Sequence, residues 1–165
     1  MHIKDKLPDQ PSDITAQWLS KVFSRDQSAL EVNAVEVVES HSGTTGRSRL
    51  RVDWKNGTPH PPEIFVKLPP TDPTSRQMVL STGMGKREAQ FYQRLGHEIP
   101  VRIPSPLWSG WTDDGSEYIM LLEDLVASGC RFPNARETAL LDYTKSLMRS
   151  LGVLHASYWD SPRFA

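Results

Sequence analysis

The sequence predicts an α+β domain built on a five-stranded antiparallel sheet. A short helical segment comes first, three segments rich in alternating or β-branched apolar residues follow it, and a second segment with helical spacing comes after them. Two further strand segments, joined by an Asp-Asp-Gly turn, precede a long segment with an apolar residue every three to four positions. The predicted order is therefore helix, three strands, helix, two strands and a long helix.

The strand segments differ in how completely they should be buried. Within 49–55, apolar Leu50, Val52 and Trp54 alternate with charged residues, which is typical of a strand with one buried face. The run 118–122 is apolar on both faces and predicts a central strand. The other predicted strands are 30–40, 63–69 and the first part of 105–125, and turn chemistry fills 56–62.

Three segments are predicted to be helical. Ser12 or Asp13 can cap a short helix that carries Ile14, Trp18, Leu19 and Val22 on one face. The segment 86–99 is amphipathic and is stopped by Gly96, and 135–159 is a long helix. Residues 1–12 are expected to be a flexible leader, and the residues from 70 to about 84 an irregular connection.

Composition and charge exclude several classes of protein. The 165 residues carry a formal net charge of -1, which gives no field to attract nucleic acid or an anionic membrane. The single cysteine excludes an internal disulfide, and the histidines have no metal-ligand spacing. Neither a signal peptide nor a membrane span is predicted, so a cytoplasmic protein with a small-molecule or protein partner is expected.

The connection between the first two strands allows two interpretations. It contains Gly43, Thr44, Thr45 and Gly46, followed by Arg47 and Arg49. The stretch is either a hairpin turn or a loop that lies over a phosphate, since glycine lets the main chain approach a ligand closely. The two arginines are correspondingly either phosphate-steering groups or ordinary solvated charges.

Lys67 and Glu88 occupy positions where they could form a pair. Lys67 lies within the third strand and shares a face with Phe65, while Ile64, Val66 and Leu68 fill the other face. Glu88 lies early in the helix that follows. The alternatives are a solvent-facing edge lysine and an acid that complements the helix dipole.

The fifth strand ends in "LLEDL", which leads through 123–134 to a long helix containing "LHASYW". Together with the glycine-bearing turn, Lys67 and Glu88, this order resembles the aminoglycoside phosphotransferase and choline kinase-like superfamily. It is most similar to the ecdysteroid kinase-like and broader small-molecule phosphotransferase branches. Glu123 and Asp124 have a simpler interpretation as solvated carboxylates at a strand end.

The resemblance implies a kinase-like fold and its domain organisation. Residues 13–122 would form the small, nucleotide-binding lobe, 123–134 the hinge and linker, and 135–165 the first helix of a large lobe whose remainder is absent. ATP would be the nucleotide, and a small-molecule hydroxyl would be the phosphate acceptor. The apolar stripe on 135–159 would be incompletely covered and open to self-association.

The resemblance also implies roles for single residues. Lys67 would hold the α- and β-phosphates of ATP, and Glu88 would orient Lys67. Backbone amides of 43–46 would cover the β- and γ-phosphates. At the hinge, the Glu123 carbonyl and the Leu125 amide would bind an adenine edge.

Two departures from the family pattern bear on activity. The loop is Gly-Thr-Thr-Gly rather than the G-x-G-x-x-G of protein kinases, and neither the His-Gly-Asp catalytic loop nor the Asp-Phe-type metal motif occurs in this sequence. No catalytic residue and no metal ligand is therefore predicted, although the complete family protein would use magnesium. We expect weak ATP binding and no phosphoryl transfer by these 165 residues. The alternatives are a non-catalytic nucleotide-binding or interaction module and, as a third class, a sheet protein that binds a partner through its edge.

Overall fold

The computed structural model describes residues 6–24, 30–55, 60–134 and 136–164. Its strands, in chain order, are β1 Val32–Ser42, β2 Gly46–Trp54, β3 Glu63–Leu68, β4 Pro106–Trp111 and β5 Tyr118–Glu123. They form one five-stranded sheet in the order β1-β2-β3-β5-β4, and every neighbouring pair is antiparallel. The predicted α+β class and antiparallel sheet are confirmed. Most of the turn predicted at 56–62 lies outside the described residues.

Four α-helices accompany the sheet within the described ranges: α1 Ala16–Phe23, α2 Pro73–Thr82, α3 Met84–Arg94 and α4 Leu140–Tyr158. Two 3-10 turns lie at Pro11–Asp13 and Pro162–Phe164. The cap predicted for α1 is wrong. Thr15 is the N-cap and its hydroxyl accepts a hydrogen bond from the Trp18 amide at 3.1 Å, while Ser12 and Asp13 belong to the preceding 3-10 turn.

Helix α2 occupies the segment that was expected to be irregular. The Asp72 carboxylate caps it by accepting from the Ser75 amide at 2.7 Å, and Pro73 occupies its first turn. Gly83, with φ of 63°, ends it and lies directly before α3. Only Val79 of α2 is buried, so the helix lacks the apolar periodicity that would reveal it in the sequence.

One face of the sheet carries the larger core. Leu19, Val22 and Phe23 of α1 pack there in one cluster with inward-facing residues of β2, β3 and β5. Leu7, within the predicted leader 1–12, is 3% exposed and belongs to the same cluster, so the described part of that segment packs against the core. The sequence Tyr118 to Leu122 is buried throughout, which confirms the predicted central strand.

The opposite face is covered by α2 and α3. Val79 and Ala89 of these helices pack against Tyr118, Met120 and Leu122 of β5. The Tyr118 side chain lies against the backbone of α3, and its burial raises the pKa of its hydroxyl to about 12. This second layer places α3 on the face of the sheet to which Phe65 of β3 also contributes.

Helix α4 begins at Leu140, later than the predicted start at residue 135, which itself lies outside the described residues. None of its residues is buried. The predicted incomplete covering of its stripe is therefore confirmed at Leu147 and Leu151, which are 45% and 37% exposed. No helix in the described ranges is both long and apolar enough to cross a membrane.

Candidate functional site

Lys67 and Glu88 form an ion pair between the sheet and α3. The Lys67 Nζ lies 2.5 Å from Glu88 Oε1, and the two side chains are 19% and 28% exposed. Strand alternation explains the direction of Lys67, because Ile64, Val66 and Leu68 are buried on the other face of β3. The predicted contact is confirmed. Partial burial strengthens such a charged hydrogen bond. The hydrogen bond to Glu88 holds the Lys67 ammonium group toward one side of the sheet.

The turn between β1 and β2 consists of residues 43–45, and Gly46 is the first residue of β2. The Gly43 amide donates to the Thr45 carbonyl at 3.3 Å. A Cβ on Gly46 would lie 2.9 Å from the Pro69 carbonyl oxygen, so close approach of the chain after β3 requires glycine there. Gly46 pairs with Leu68 in the sheet, which places the turn beside the end of β3 that carries Lys67.

A cleft of about 290 Å³ lies along this face of the sheet. Lys67, Phe65 and Leu122 border it from the sheet, and residues 123–126 border it from the segment after β5. Arg47 and Arg49 border it from β2. The structure therefore brings Lys67, Glu123 and Leu125 to one cavity, whereas Gly43 to Gly46 lie at the adjacent turn and not in the wall of the cleft. The volume is at the lower end for small-molecule sites.

The segment after β5 is fixed by Asp124, whose role the sequence did not show. Asp124 is 2% exposed, so its interpretation as a solvated carboxylate is wrong. Its Oδ1 accepts from the Val126 and Ala127 amides at 2.9 and 3.2 Å, and its Oδ2 lies 2.5 Å from Arg49 Nε. The hydrogen bond to Asp124 raises the pKa of the Arg49 guanidinium. Arg49 therefore ties β2 to this segment.

Glu123 is held by a separate set of contacts. Its carboxylate lies 2.5 Å from Arg102 Nη2 and accepts from the Ser105 amide at 3.0 Å. The Arg102 hydrogen bond, with smaller contributions from Ser128 and Ser105, lowers the pKa of Glu123 to about 2. The Glu123 side chain is thus occupied within the protein, and the Glu123 amide donates to the Ser105 carbonyl at 2.9 Å.

The Leu125 backbone has one engaged and one available group. Its carbonyl accepts from the Cys130 amide at 2.8 Å, which closes the turn that follows. Its amide donates to none of the described residues. Leu125 borders the cleft, as do the apolar residues Phe65 and Leu122.

Among the described residues, no group of three or more His, Cys, Asp or Glu side chains is arranged to hold a metal ion. No protein-family model, no curated protein and no solved structure matches this chain. The assignment of the cleft therefore rests on its own geometry and chemistry.

Proposed function

We propose that this chain is the ATP-binding portion of a phosphotransferase that acts on a small-molecule hydroxyl. The observation that carries the proposal is the Lys67–Glu88 ion pair at one side of a cleft whose other border is the segment 123–126. A fixed cation and an available backbone donor are the two groups needed to hold the phosphates and the base of one nucleotide.

In this proposal each border of the cleft binds a different part of ATP. The Lys67 ammonium binds the α- and β-phosphates, and Glu88 orients it. The Leu125 amide and the Glu123 carbonyl bind the adenine edge, with the cross-strand neighbours Phe65 and Leu122 against one face of its ring. The turn 43–46 lies near the distal phosphates. Arg49 and Asp124 hold the adenine-binding segment at a fixed distance from Lys67.

Magnesium does not fit the donors present in the cleft. The carboxylates of Glu88, Glu123 and Asp124 are each engaged by a cation, namely Lys67, Arg102 and Arg49. A hard divalent ion needs carboxylate oxygens that are free to coordinate it. We therefore assign magnesium to none of these residues. The acceptor hydroxyl and its pocket belong, by the family resemblance, to a large lobe that follows the hinge.

The proposal is tested by calorimetric titration of ATP without divalent ions into the wild-type chain, Lys67→Met and Lys86→Met. We expect a wild-type Kd on the order of 0.1–1 mM. Losing a charged hydrogen bond to phosphate should weaken binding about tenfold or more in Lys67→Met. Lys86→Met is the matched control, because it removes the same charge from a lysine that donates to the Asp113 carbonyl. Equal affinities for the two variants, or no wild-type binding, would contradict the proposal.

A second candidate is a non-catalytic interaction module. It is favoured by the exposed apolar residues of α4, among them Leu141, Met148 and Val153, which are 64%, 53% and 48% exposed. Clustered exposed apolar side chains commonly mark a protein interface. The two candidates are compatible, since the helix and the cleft are formed by different elements.

A further inference from the structure

Strand β2 presents three arginines on one face, and they differ in what they bind. Ser48, Leu50 and Val52 are buried on the opposite face. Arg49 pairs with the buried Asp124, and Arg51 lies 2.8 Å from Glu36. Arg47 is exposed, and no carboxylate of the described residues pairs with it. The structural role of Arg49 is thus explained, whereas the role of Arg47 is not.

Arg47 lies directly opposite Lys67 in the sheet. The two are cross-strand partners in the β2–β3 register, and both border the same cleft. Like charges that face each other across neighbouring strands repel, which disfavours this pair unless opposite charge lies beside it. Glu88 supplies one carboxylate for the two cations. Arg49, the next arginine on this face of β2, lies within 4 Å of Glu39, Glu63 and Asp124, so Arg47 is the arginine of this face that has no ion pair among the described residues.

The Arg47 side chain also reaches the turn. Its Nη2 lies 3.7 Å from the position that a Cβ on Gly43 would occupy. The guanidinium is therefore on the turn side of Lys67, farther from residues 123–126. An anion bound by both cations would lie under the turn, at the end of the cleft opposite the available Leu125 amide.

We propose that Arg47 is a second anion-binding residue of the cleft and that it selects a ligand with a polyphosphate chain. A phosphate chain presents several anionic oxygens that can contact Lys67 and Arg47 together, whereas a nucleoside presents none. The planar guanidinium can donate two parallel hydrogen bonds to one phosphate group. That the ligand contains a nucleoside rests on the proposed function, whereas the binding of a phosphate chain by Arg47 does not.

The test is calorimetric titration of inorganic tripolyphosphate into the wild-type chain, Arg47→Gln and Arg51→Gln, with circular dichroism to show that each variant is folded. Both substitutions remove one positive charge from the same face of the same strand. We expect Arg47→Gln to weaken tripolyphosphate binding about tenfold. We expect Arg51→Gln to change it less than about twofold, because Arg51 is in an exposed pair with Glu36. Arg47→Lys should retain part of the affinity.

Equal effects of the two substitutions, or no binding of tripolyphosphate to the wild-type chain, would overturn the inference. Parallel titrations with ATP and adenosine separate it from the proposed function. If ATP binds and Arg47→Gln leaves its affinity unchanged, the role of Arg47 is wrong and the nucleotide site stands. The opposite outcome is that tripolyphosphate binding depends on Arg47, while ATP binds no better than tripolyphosphate and adenosine does not bind. In that case the anion site stands and the nucleotide site does not.

Discussion

At the residue scale, Gly46 and Gly85 both have to be glycine, although neither has a positive φ. In both cases another part of the chain occupies the space of a side chain. A Cβ on Gly85 would lie 2.0 Å from Tyr118 Cε1, and Tyr118 is itself only 1% exposed. Because the buried ring cannot move away cheaply, α3 can approach the sheet only through glycine.

Gly85→Ala should therefore destabilise the protein despite the higher helix propensity of alanine. We expect a loss of about 2 kcal/mol in the free energy of unfolding, the usual cost of overpacking a core. Gly152→Ala is the matched control, since it lies within α4 and a Cβ there meets nothing within 4 Å. It should leave stability unchanged or raise it by up to about 1 kcal/mol. Urea denaturation measures both, and similar losses would contradict the assigned packing.

Single residues also show which contacts can be predicted from a sequence and which cannot. The Lys67–Glu88 contact could be predicted because Lys67 lies within a predicted strand and Glu88 early in the next predicted helix, only 21 positions later, although α2 lies between them. The partner of Asp124 could not, because Arg49 is 75 residues away and nothing local distinguishes it from Arg47 or Arg51. Which of several similar arginines pairs with a distant carboxylate can be known only from the three-dimensional register of the sheet.

At the scale of elements, the end of β5 is anchored by Glu123 to Arg102, in the segment before β4. The pKa of Glu123 in the folded protein is about 2, compared with an ordinary value of 4.5, and the Arg102 hydrogen bond is the main cause. A carboxyl group whose pKa is lowered by folding stabilises the folded state above its ordinary pKa. That contribution is lost as the pH falls from 4.5 toward 2.

Glu123→Gln should accordingly flatten the dependence of unfolding free energy on pH between about 5 and 2. The reduction in slope should be less than about 1.4 kcal/mol per pH unit, the limit for one proton. Chemical denaturation at a series of pH values measures it. Glu31→Gln is the control, because Glu31 pairs with Lys55 where both side chains are more than half exposed. An equal slope in wild type and Glu123→Gln would show that Arg102 does not stabilise the ionised form in the folded state.

Elements with a well-buried face were predicted from the sequence, whereas an element that is mostly exposed was missed. Strand β5 and helix α3 were predicted because each has a clear apolar pattern. Helix α2 was missed because it buries a single side chain, although Asp72-Pro73 at its start and Gly83 at its end are recognisable boundary signals. Capping residues therefore carry information that hydrophobic periodicity alone does not.

At the scale of the whole molecule, α4 is the element with the least packing. Its exposed apolar residues predict that the chain self-associates as its concentration rises. Leu147→Lys should shift the population toward monomer, because it places a charge where an apolar contact would form. Ser146→Lys adds the same charge at the neighbouring position of the same helix and should have the smaller effect. Sedimentation equilibrium measures both variants.

A wild-type chain that remains monomeric at every concentration would contradict the use of α4 for self-association. Equal effects of Leu147→Lys and Ser146→Lys would show that the shift toward monomer arises from net charge alone. The cleft should be unaffected by either substitution, since none of its bordering residues lies on α4.

The two borders of the cleft also differ in how early they can form during folding. The Lys67–Glu88 pair closes a loop between residues 21 positions apart, whereas Arg49–Asp124 joins residues 75 positions apart. The difference in loop-closure entropy is about 1 kcal/mol in favour of the shorter loop. The cationic end of the cleft can thus assemble from the first three strands and α3, and the segment that faces it is positioned only after the second hairpin has docked.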